Sequence, residues 1–146
     1  MSDEMNYIKQ RLDPQIEWYS KRATENKTKY HVYQVVLIIV GVLIPVVNVI
    51  DYAPVETRVI SAILGGIVVG ITGMLQLKKH HENWIMYRST EEALKEEKYT
   101  YLHSAGAYSE LNDAERRKML VEKSESIISN QNVIFFVTHK AKPHSE

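Results

Sequence analysis

Two long apolar runs without any charged residue constrain the fold of this chain most strongly. They cover residues 32–50 and 59–77, and neither contains Lys, Arg, Asp or Glu. As a helix rising about 1.5 Å per residue, each run would measure about 28 Å, close to the hydrocarbon thickness of about 30 Å of a bilayer. Because only the loop 51–58 separates them, the sequence predicts a transmembrane helical hairpin.

A buried hairpin in a soluble protein and a secretory signal peptide are the two alternatives. Core helices of soluble proteins are normally amphipathic, whereas these runs are apolar all round, and a chain of 146 residues has little apolar surface left to cover them. A signal peptide starts with a short basic segment. Here the first run follows a long charged segment that contains Asp3, Glu4, Asp13, Glu17 and Glu25. The pattern therefore favours the membrane.

Composition and motifs argue against several function classes. The chain has 18 basic and 18 acidic residues and no cysteine, so we expect neither nucleic-acid binding nor disulfide or thiolate chemistry. His80 and His81 are adjacent, so they do not share a helix face as metal ligands at i,i+4 would. No nucleophile motif or glycine-rich phosphate loop is present in the sequence. We therefore expect no enzyme, no metal and no cofactor.

Basic residues flank the hairpin on its two outer sides. Four lie within the eleven residues before the first run and three within the eleven residues after the second, whereas the loop holds only Arg58. The positive-inside rule then places both termini in the cytoplasm. The basic residues on the inner side are Lys21, Arg22, Lys27, Lys29, Lys78, Lys79 and Arg88. Residues 1–31 are expected to form an N-terminal cytoplasmic helix, 78–140 a C-terminal helical region, and 141–146 a flexible tail.

Local signals predict the cytoplasmic helices. Asp13 before Pro14 is a plausible helix cap, and a helix is expected from His80 to about Leu102. Its charge pairs Arg88–Glu92 and Glu91–Lys95 indicate a solvated face. A turn is expected over residues 104–111. Asn112 with Glu115 resembles a capping box, and the last helix should bury an apolar stripe of residues seven apart, namely Leu120, Ile127 and Ile134.

The two membrane helices carry a small face and polar side chains. Small residues allow close helix packing in lipid, and the small face of the second run consists of Ala62, Gly66, Gly70 and Gly73. The polar side chains could line a water-filled path or mediate packing, and the candidates are Gln34, Asn48, Ser61, Thr72 and Gln76. Two helices cannot enclose a pore, so conduction requires several copies. Asp51 and Glu56 would then form acidic rings at the outer mouth that favour cations, or an ordinary polar turn.

The flanks of the hairpin carry a recognisable set of residues. Before it stand Gln15, Trp18, Tyr19, Ala23, Asn26 and Lys27; after it stand Trp84, Tyr87, Arg88, Glu92, Leu94, Lys95, Glu97, Tyr99, Tyr101, Leu102, Gly106 and Tyr108; and the end of the chain carries Glu125, Ile127, Ile128 and Ser129. This pattern resembles the SLATT family of bacterial two-helix membrane proteins. Phe135 and Phe136 stand where a tryptophan of that family is expected. The resemblance implies a pore-forming effector of bacterial conflict systems and transfers no catalytic residue.

The sequence thus predicts an all-α integral membrane protein, a two-helix hairpin with long cytoplasmic helical extensions that assembles as an oligomeric bundle. Its expected place is the bacterial inner membrane, and its expected partners are the bilayer, copies of itself and ions. Trp84, Tyr87 and Arg88 would mark the junction between membrane and cytoplasm. The leading hypothesis is a homo-oligomeric ion channel gated through the cytoplasmic helices. The alternative is a non-conducting anchor or scaffold whose cytoplasmic helices bind a signalling partner.

Overall fold

The computed structural model describes residues 6–49 and 54–140, and it is all-α. Asp51 and the tail 141–146 lie outside the described residues. The helical elements in chain order are a π-helical turn Ile8–Leu12, α1 Asp13–Val49, α2 Pro54–Lys78, α3 His80–Leu102, a 3-10 turn Gly106–Tyr108 and α4 Asp113–Lys140. The chain divides into two compact units. The hairpin unit is Thr24–Trp84, and the bundle unit combines Met1–Ala23 with Ile85–Glu146.

The helix does not begin at Asp13, and the predicted cap there is wrong. Tyr7 and Asp13 both have right-handed helical dihedrals, and the Asp13 N–H donates to the carbonyl of Ile8, five residues back. Pro14 has no N–H to donate, so it leaves a carbonyl of the preceding turn without its usual partner. The chain widens there into a π turn instead of starting a new helix. The Asp13 carboxylate accepts from Lys98 Nζ at 2.6 Å.

The bundle unit has a continuous apolar core. Leu12, Leu94 and Tyr108 are fully buried. The other buried members of the cluster are Ile8, Ile16, Tyr19, Tyr101, Leu120 and Ile128. These side chains come from the N-terminal segment, α3, the 3-10 turn and α4, so all four parts of the unit share one core. Burying such side chains is worth about 1.5–3 kcal/mol each.

The buried face of α4 differs from the predicted stripe. Leu120 is buried and Ile127 packs against the core, whereas Ile134 is 52% exposed. Residues seven apart drift by about 20° per heptad around a straight helix, so the third member of the series has left the core. The side chains buried along α4 are Leu120, Ser124, Ile128 and Gln131.

The local predictions for α3 and the following turn are confirmed. The helix spans His80–Leu102, and Gly106 in the turn has φ +55°, a conformation that favours glycine. The Asn112 side chain accepts from the N–H of Glu115 at 3.0 Å, while Glu115 Oε2 accepts from the Asn112 N–H at 3.2 Å. This reciprocal pair is the predicted capping box.

In the hairpin unit, half-buried side chains repeat at heptad spacing. On α2 they include Ser61, Leu64, Val68, Ile71 and Leu75, and on α1 Val36, Leu37, Val40, Ile44 and Val47. Alternating steps of three and four residues keep one seam facing a partner helix. The helix α2 begins at Pro54, before the apolar run, because proline suits the first helical position. Part of the predicted loop 51–58 is therefore helical.

Candidate functional site: the apolar hairpin and its base

Most apolar side chains of the hairpin remain exposed. Val69 and Leu77 on α2 and Val49 on α1 are 72, 73 and 82% exposed. In water, contiguous apolar patches larger than a few hundred Å² are rare on monomeric proteins and mark interaction or membrane surfaces. Both helices are long and apolar enough to cross a membrane, and the most apolar window of each contains no buried residue. On both helices, apolar side chains are therefore left uncovered by the rest of the chain.

Two of the predicted pore-lining residues form side-chain hydrogen bonds within their own helix. Asn48 Nδ2 donates to the carbonyl of Ile44 at 2.7 Å, and Thr72 Oγ1 donates to the carbonyl of Val68 at 2.8 Å. Both side chains are exposed. A bond to the carbonyl four residues back is the usual way for such side chains to find a partner within a helix. These two residues can thus face either lipid or water.

The remaining three polar candidates fall into two groups. Gln76 is exposed, whereas Gln34 and Ser61 are half-buried. The Ser61 hydroxyl is buried and has no hydrogen-bond partner among residues 6–49 and 54–140. Ser61 belongs to the heptad seam of α2, and Thr72 and Gln76 do not. The five predicted residues therefore do not share one environment within a single chain.

The small face of α2 is open. Ala62, Gly66 and Gly70 are exposed and Gly73 is half-buried. A Cβ atom added to any of these three glycines would meet no neighbouring atom within 4 Å. Close packing of α1 against these glycines would place atoms within that distance. Packing of the small face inside one hairpin is therefore not observed, and packing between copies stays a prediction.

Of the two acidic residues predicted at the outer mouth, only Glu56 is described. It is exposed and lies in the first turn of α2. A carboxylate there is favoured by the positive end of the helix dipole.

Aromatic and basic side chains surround the base of the hairpin, where α2 ends and α3 begins. Lys27 Nζ lies 5.6 Å from the Trp84 ring, and the rings of His81 and Trp84 are 5.6 Å apart. Tyr30 stacks at a tilt on His81 at 4.8 Å. Amphipathic rings and lysines are the side chains that anchor helices at membrane interfaces. Of the three predicted junction residues, Trp84 belongs to this cluster.

The other two junction residues, Tyr87 and Arg88, belong to the bundle unit. The Tyr87 ring packs edge-on to Trp18 at 5.7 Å, and burial raises the pKa of its hydroxyl. Arg88 pairs with Glu91 at 3.0 Å and with Glu92 at 2.7 Å. Both residues therefore have structural partners within that unit.

Glu91 is a buried carboxylate, so the predicted solvated face of α3 is wrong at this position. Its side chain is 1% exposed and accepts from Lys95 Nζ at 2.6 Å and Arg88 Nη1 at 3.0 Å. Burial alone would raise the pKa of Glu91. Hydrogen bonds from Lys95 and Ser20 and the two positive charges outweigh that effect and lower the pKa. The pattern of charges along α3 cannot show that Glu91 is buried or that Ser20 of α1 donates a hydrogen bond to it.

His80 is a further buried residue, and its burial was not predicted from the sequence, where it was considered only as a metal ligand. It is 9% exposed, and its Nδ1 lies 2.9 Å from Asn26 Oδ1. Burial and the positive charges of Lys29 and Lys78 lower its pKa. In the sequence, His80 stands out only by its position beside His81 and directly after Lys78 and Lys79, at the end of an apolar run. Within residues 6–49 and 54–140, no group of three His, Cys, Asp or Glu side chains could hold a metal ion.

These features define a class: an all-α chain in which two helices of membrane-spanning length join a bundle of charged helices. A family model described as "Protein of unknown function (DUF4231)" matches residues 14–116, which is more than half of the chain. The chain belongs to this DUF4231 family. The matched region runs from Pro14 through both apolar helices to the first turn of α4. No curated protein and no solved structure gives a match.

Proposed function

We propose that this chain inserts in a bacterial inner membrane as a helical hairpin and assembles into a homo-oligomeric ion channel or pore. The observation that carries the proposal is the apolar surface that both hairpin helices leave exposed. Val69 and Leu77 on α2 and Val49 on α1 are among its most exposed members. A bilayer covers such a surface without further protein. Helices are suited to this medium because they satisfy their backbone hydrogen bonds internally.

Oligomerisation follows from the number of helices and from the open small face. A pore needs more than two helices around its axis, so several hairpins must associate. Ala62, Gly66 and Gly70 offer the close approach that helix pairs in lipid require. Because these residues are exposed within one chain, they are free to contact a second copy.

The conducting path would be lined by polar side chains that the single hairpin leaves exposed. Gln76, Asn48 and Thr72 are the exposed members of the predicted set. Gln34 and Ser61 are half-buried and would reach the path only if the seam between α1 and α2 opens. A ring of Glu56 carboxylates at the outer mouth would favour cations.

The cytoplasmic helices would bias the channel between closed and open states by making different contacts in each. Under the positive-inside rule, the basic residues outside the hairpin support a cytoplasmic location for both termini. The resemblance to the SLATT family supports a role as a pore-forming effector in bacterial conflict. No enzymatic step forms part of this proposal.

Reconstitution into liposomes tests the proposal. The unmodified chain should form oligomers and release trapped potassium. The double substitution Gly66→Leu with Gly70→Leu fills the small face, and we expect self-association about tenfold weaker, equivalent to about 1.4 kcal/mol, with a matching loss of flux. Val69→Leu is the control, because Val69 lies on the same helix and is 72% exposed.

Two outcomes would contradict the proposal. A folded chain that stays monomeric in bilayers would remove the oligomer. Intact oligomers without potassium release would favour the alternative, a non-conducting scaffold whose cytoplasmic helices bind a partner.

A further inference from the structure

His80 has an unusual set of neighbours inside the hairpin unit. One ring nitrogen, Nδ1, lies 2.9 Å from Asn26 Oδ1. Because a carboxamide oxygen only accepts, Nδ1 carries the proton in this arrangement. The other nitrogen, Nε2, is buried and has no hydrogen-bond partner among residues 6–49 and 54–140. The ring is therefore held neutral, with its lone pair directed into a site that offers no acceptor for a second proton.

The charged groups around His80 oppose a second proton. Lys29 of α1 and Lys78 at the end of α2 act on the ring with positive charge. Tyr33 of α1 stacks on it at 6.1 Å. On the side of α3, the Glu82 carboxylate pairs with Lys79 at 3.6 Å. Protonating the ring would create a buried N–H at Nε2 that has no hydrogen-bond acceptor, which costs free energy. It would also place a positive charge near the two lysines, and this repulsion adds to the cost.

The backbone just before His80 provides a joint. The helix α2 ends at Lys78, α3 begins at His80, and Lys79 between them has φ +47°. A left-handed conformation is uncommon for a residue with a side chain and persists only where its surroundings hold it. The contact of His80 with Asn26 is one of the interactions that holds the start of α3 against α1.

We propose that His80 is an acid-sensitive latch: the neutral ring holds the start of α3 against α1, and its protonation releases that contact at the Lys79 joint. In the released form the ring reaches water and both nitrogens find partners. The proposal concerns a conformational change of the hairpin base and goes beyond conduction itself.

The direction of the pH dependence follows from proton linkage. The pKa of His80 is lowered from 6.5 in the closed form, whereas an open, solvated ring titrates near its ordinary value. The closed form is therefore fully favoured above about pH 6.5 and loses stability as the pH falls below it. The ratio of open to closed chains should rise by up to about tenfold per pH unit until the closed form also takes up the proton.

Distance measurement between two spin labels tests the latch directly. The chain contains no cysteine, so Thr28→Cys and His81→Cys place labels only on α1 and α3, both at exposed positions. In detergent micelles at pH 7.5 the full chain should show one short distance. At pH 5.0 a second, longer distance should appear.

Three variants in the labelled chain separate His80 from other titrating groups. His80→Gln should show the same distances at both pH values. His31→Gln is the control, because His31 is an exposed histidine in the same unit, and it should behave like the parent. Asn26→Asp leaves the imidazole in place and adds a carboxylate that stabilises the imidazolium, so it should keep the short distance at pH 5.0.

The latch is overturned if the parent distance does not change with pH, if His80→Gln retains the change, or if Asn26→Asp opens at pH 5.0 as the parent does. The measurement requires no ion flux. Failure of the proposed channel would therefore leave this result standing, and a pH-independent distance would leave the channel standing.

Discussion

Replacing Glu91 by Gln tests whether a buried charge stabilises the bundle unit. The carboxylate is 1% exposed and accepts hydrogen bonds from Lys95 and Arg88. A hydrogen bond to a charged group contributes about 1.5–3 kcal/mol, compared with about 0.5–1.5 kcal/mol for a neutral one. Replacing the two hydrogen bonds to a charged carboxylate by bonds to a neutral amide would therefore lower the free energy of unfolding by about 2 kcal/mol. Lys95 and Arg88 are 35 and 54% exposed and can turn to water, so we expect a net loss of about 1–2 kcal/mol.

Glu92→Gln is the matched control. Glu92 is the next residue, is 53% exposed, and pairs with the same two cations at 2.7 and 3.7 Å. An exposed pair is worth about 0.2–1 kcal/mol. For a unit of about 85 residues, 1 kcal/mol lowers the Tm by about 4–8 °C. Thermal unfolding followed by circular dichroism at pH 7 should therefore show a drop of about 5–15 °C for Glu91→Gln and a clearly smaller one for Glu92→Gln.

The pH dependence gives a second, independent readout. The pKa of Glu91 is lowered from 4.5 in the folded chain, so its contribution is present above about pH 4.5 and is lost as the pH falls through the lowered value. The parent and Glu91→Gln should therefore converge in stability in strong acid. Equal Tm losses for the two substitutions, or a difference that persists in acid, would refute the assignment of a stabilising role to the buried charge.

Two further predictions concern the core and the cap of α4. Leu94→Ala should destabilise the bundle unit by about 2–5 kcal/mol because Leu94 is 0% exposed. Leu102→Ala on the same helix is the control, and it should cost much less because Leu102 is 48% exposed. Denaturant unfolding compares the two variants, and similar unfolding midpoints would contradict the assignment of Leu94 to the core. Asn112→Ala should cost about 1 kcal/mol because it removes the acceptor for the N–H groups of Ala114 and Glu115. Asn130→Ala, at an exposed position inside α4, is its control in the same assay, and a cap variant as stable as that control would count against the capping box.

Local signals in the sequence were sufficient for the elements that local physics decides. The capping box at Asn112, the glycine turn at Gly106 and the bounds of α3 depend on residues within a few positions of one another. Such short-range patterns specify backbone conformation directly. The two apolar helices also followed from length and composition alone.

Burial and hydrogen-bond partners depend on residues distant in the chain, and here the sequence was insufficient. Glu91 has the charge spacing of a solvated face, yet it is buried and accepts a hydrogen bond from Ser20 of α1. His80 is fixed by Asn26, fifty-four positions away. The local bonds of Asn48 and Thr72 to their own helix depend on rotamers, which residue type does not specify. For the polar candidates in the hairpin, the sequence identified the residues and the structure supplied their environment.

The π turn at Ile8–Leu12 determines which way Tyr7 and Ile8 face. It holds one more residue than an α turn in the same axial length, so it sets the angular position of Tyr7 and Ile8 around the helix axis. Winding the same residues as a regular α-helix would swing Tyr7 and Ile8 by about 100° around the axis. Ile8 would then leave the core, and Tyr7 would lose its hydroxyl bond to Glu125. A one-residue deletion within residues 9–11 should therefore leave the contacts of Tyr7 and Ile8 in place, because it removes the extra residue together with the π turn.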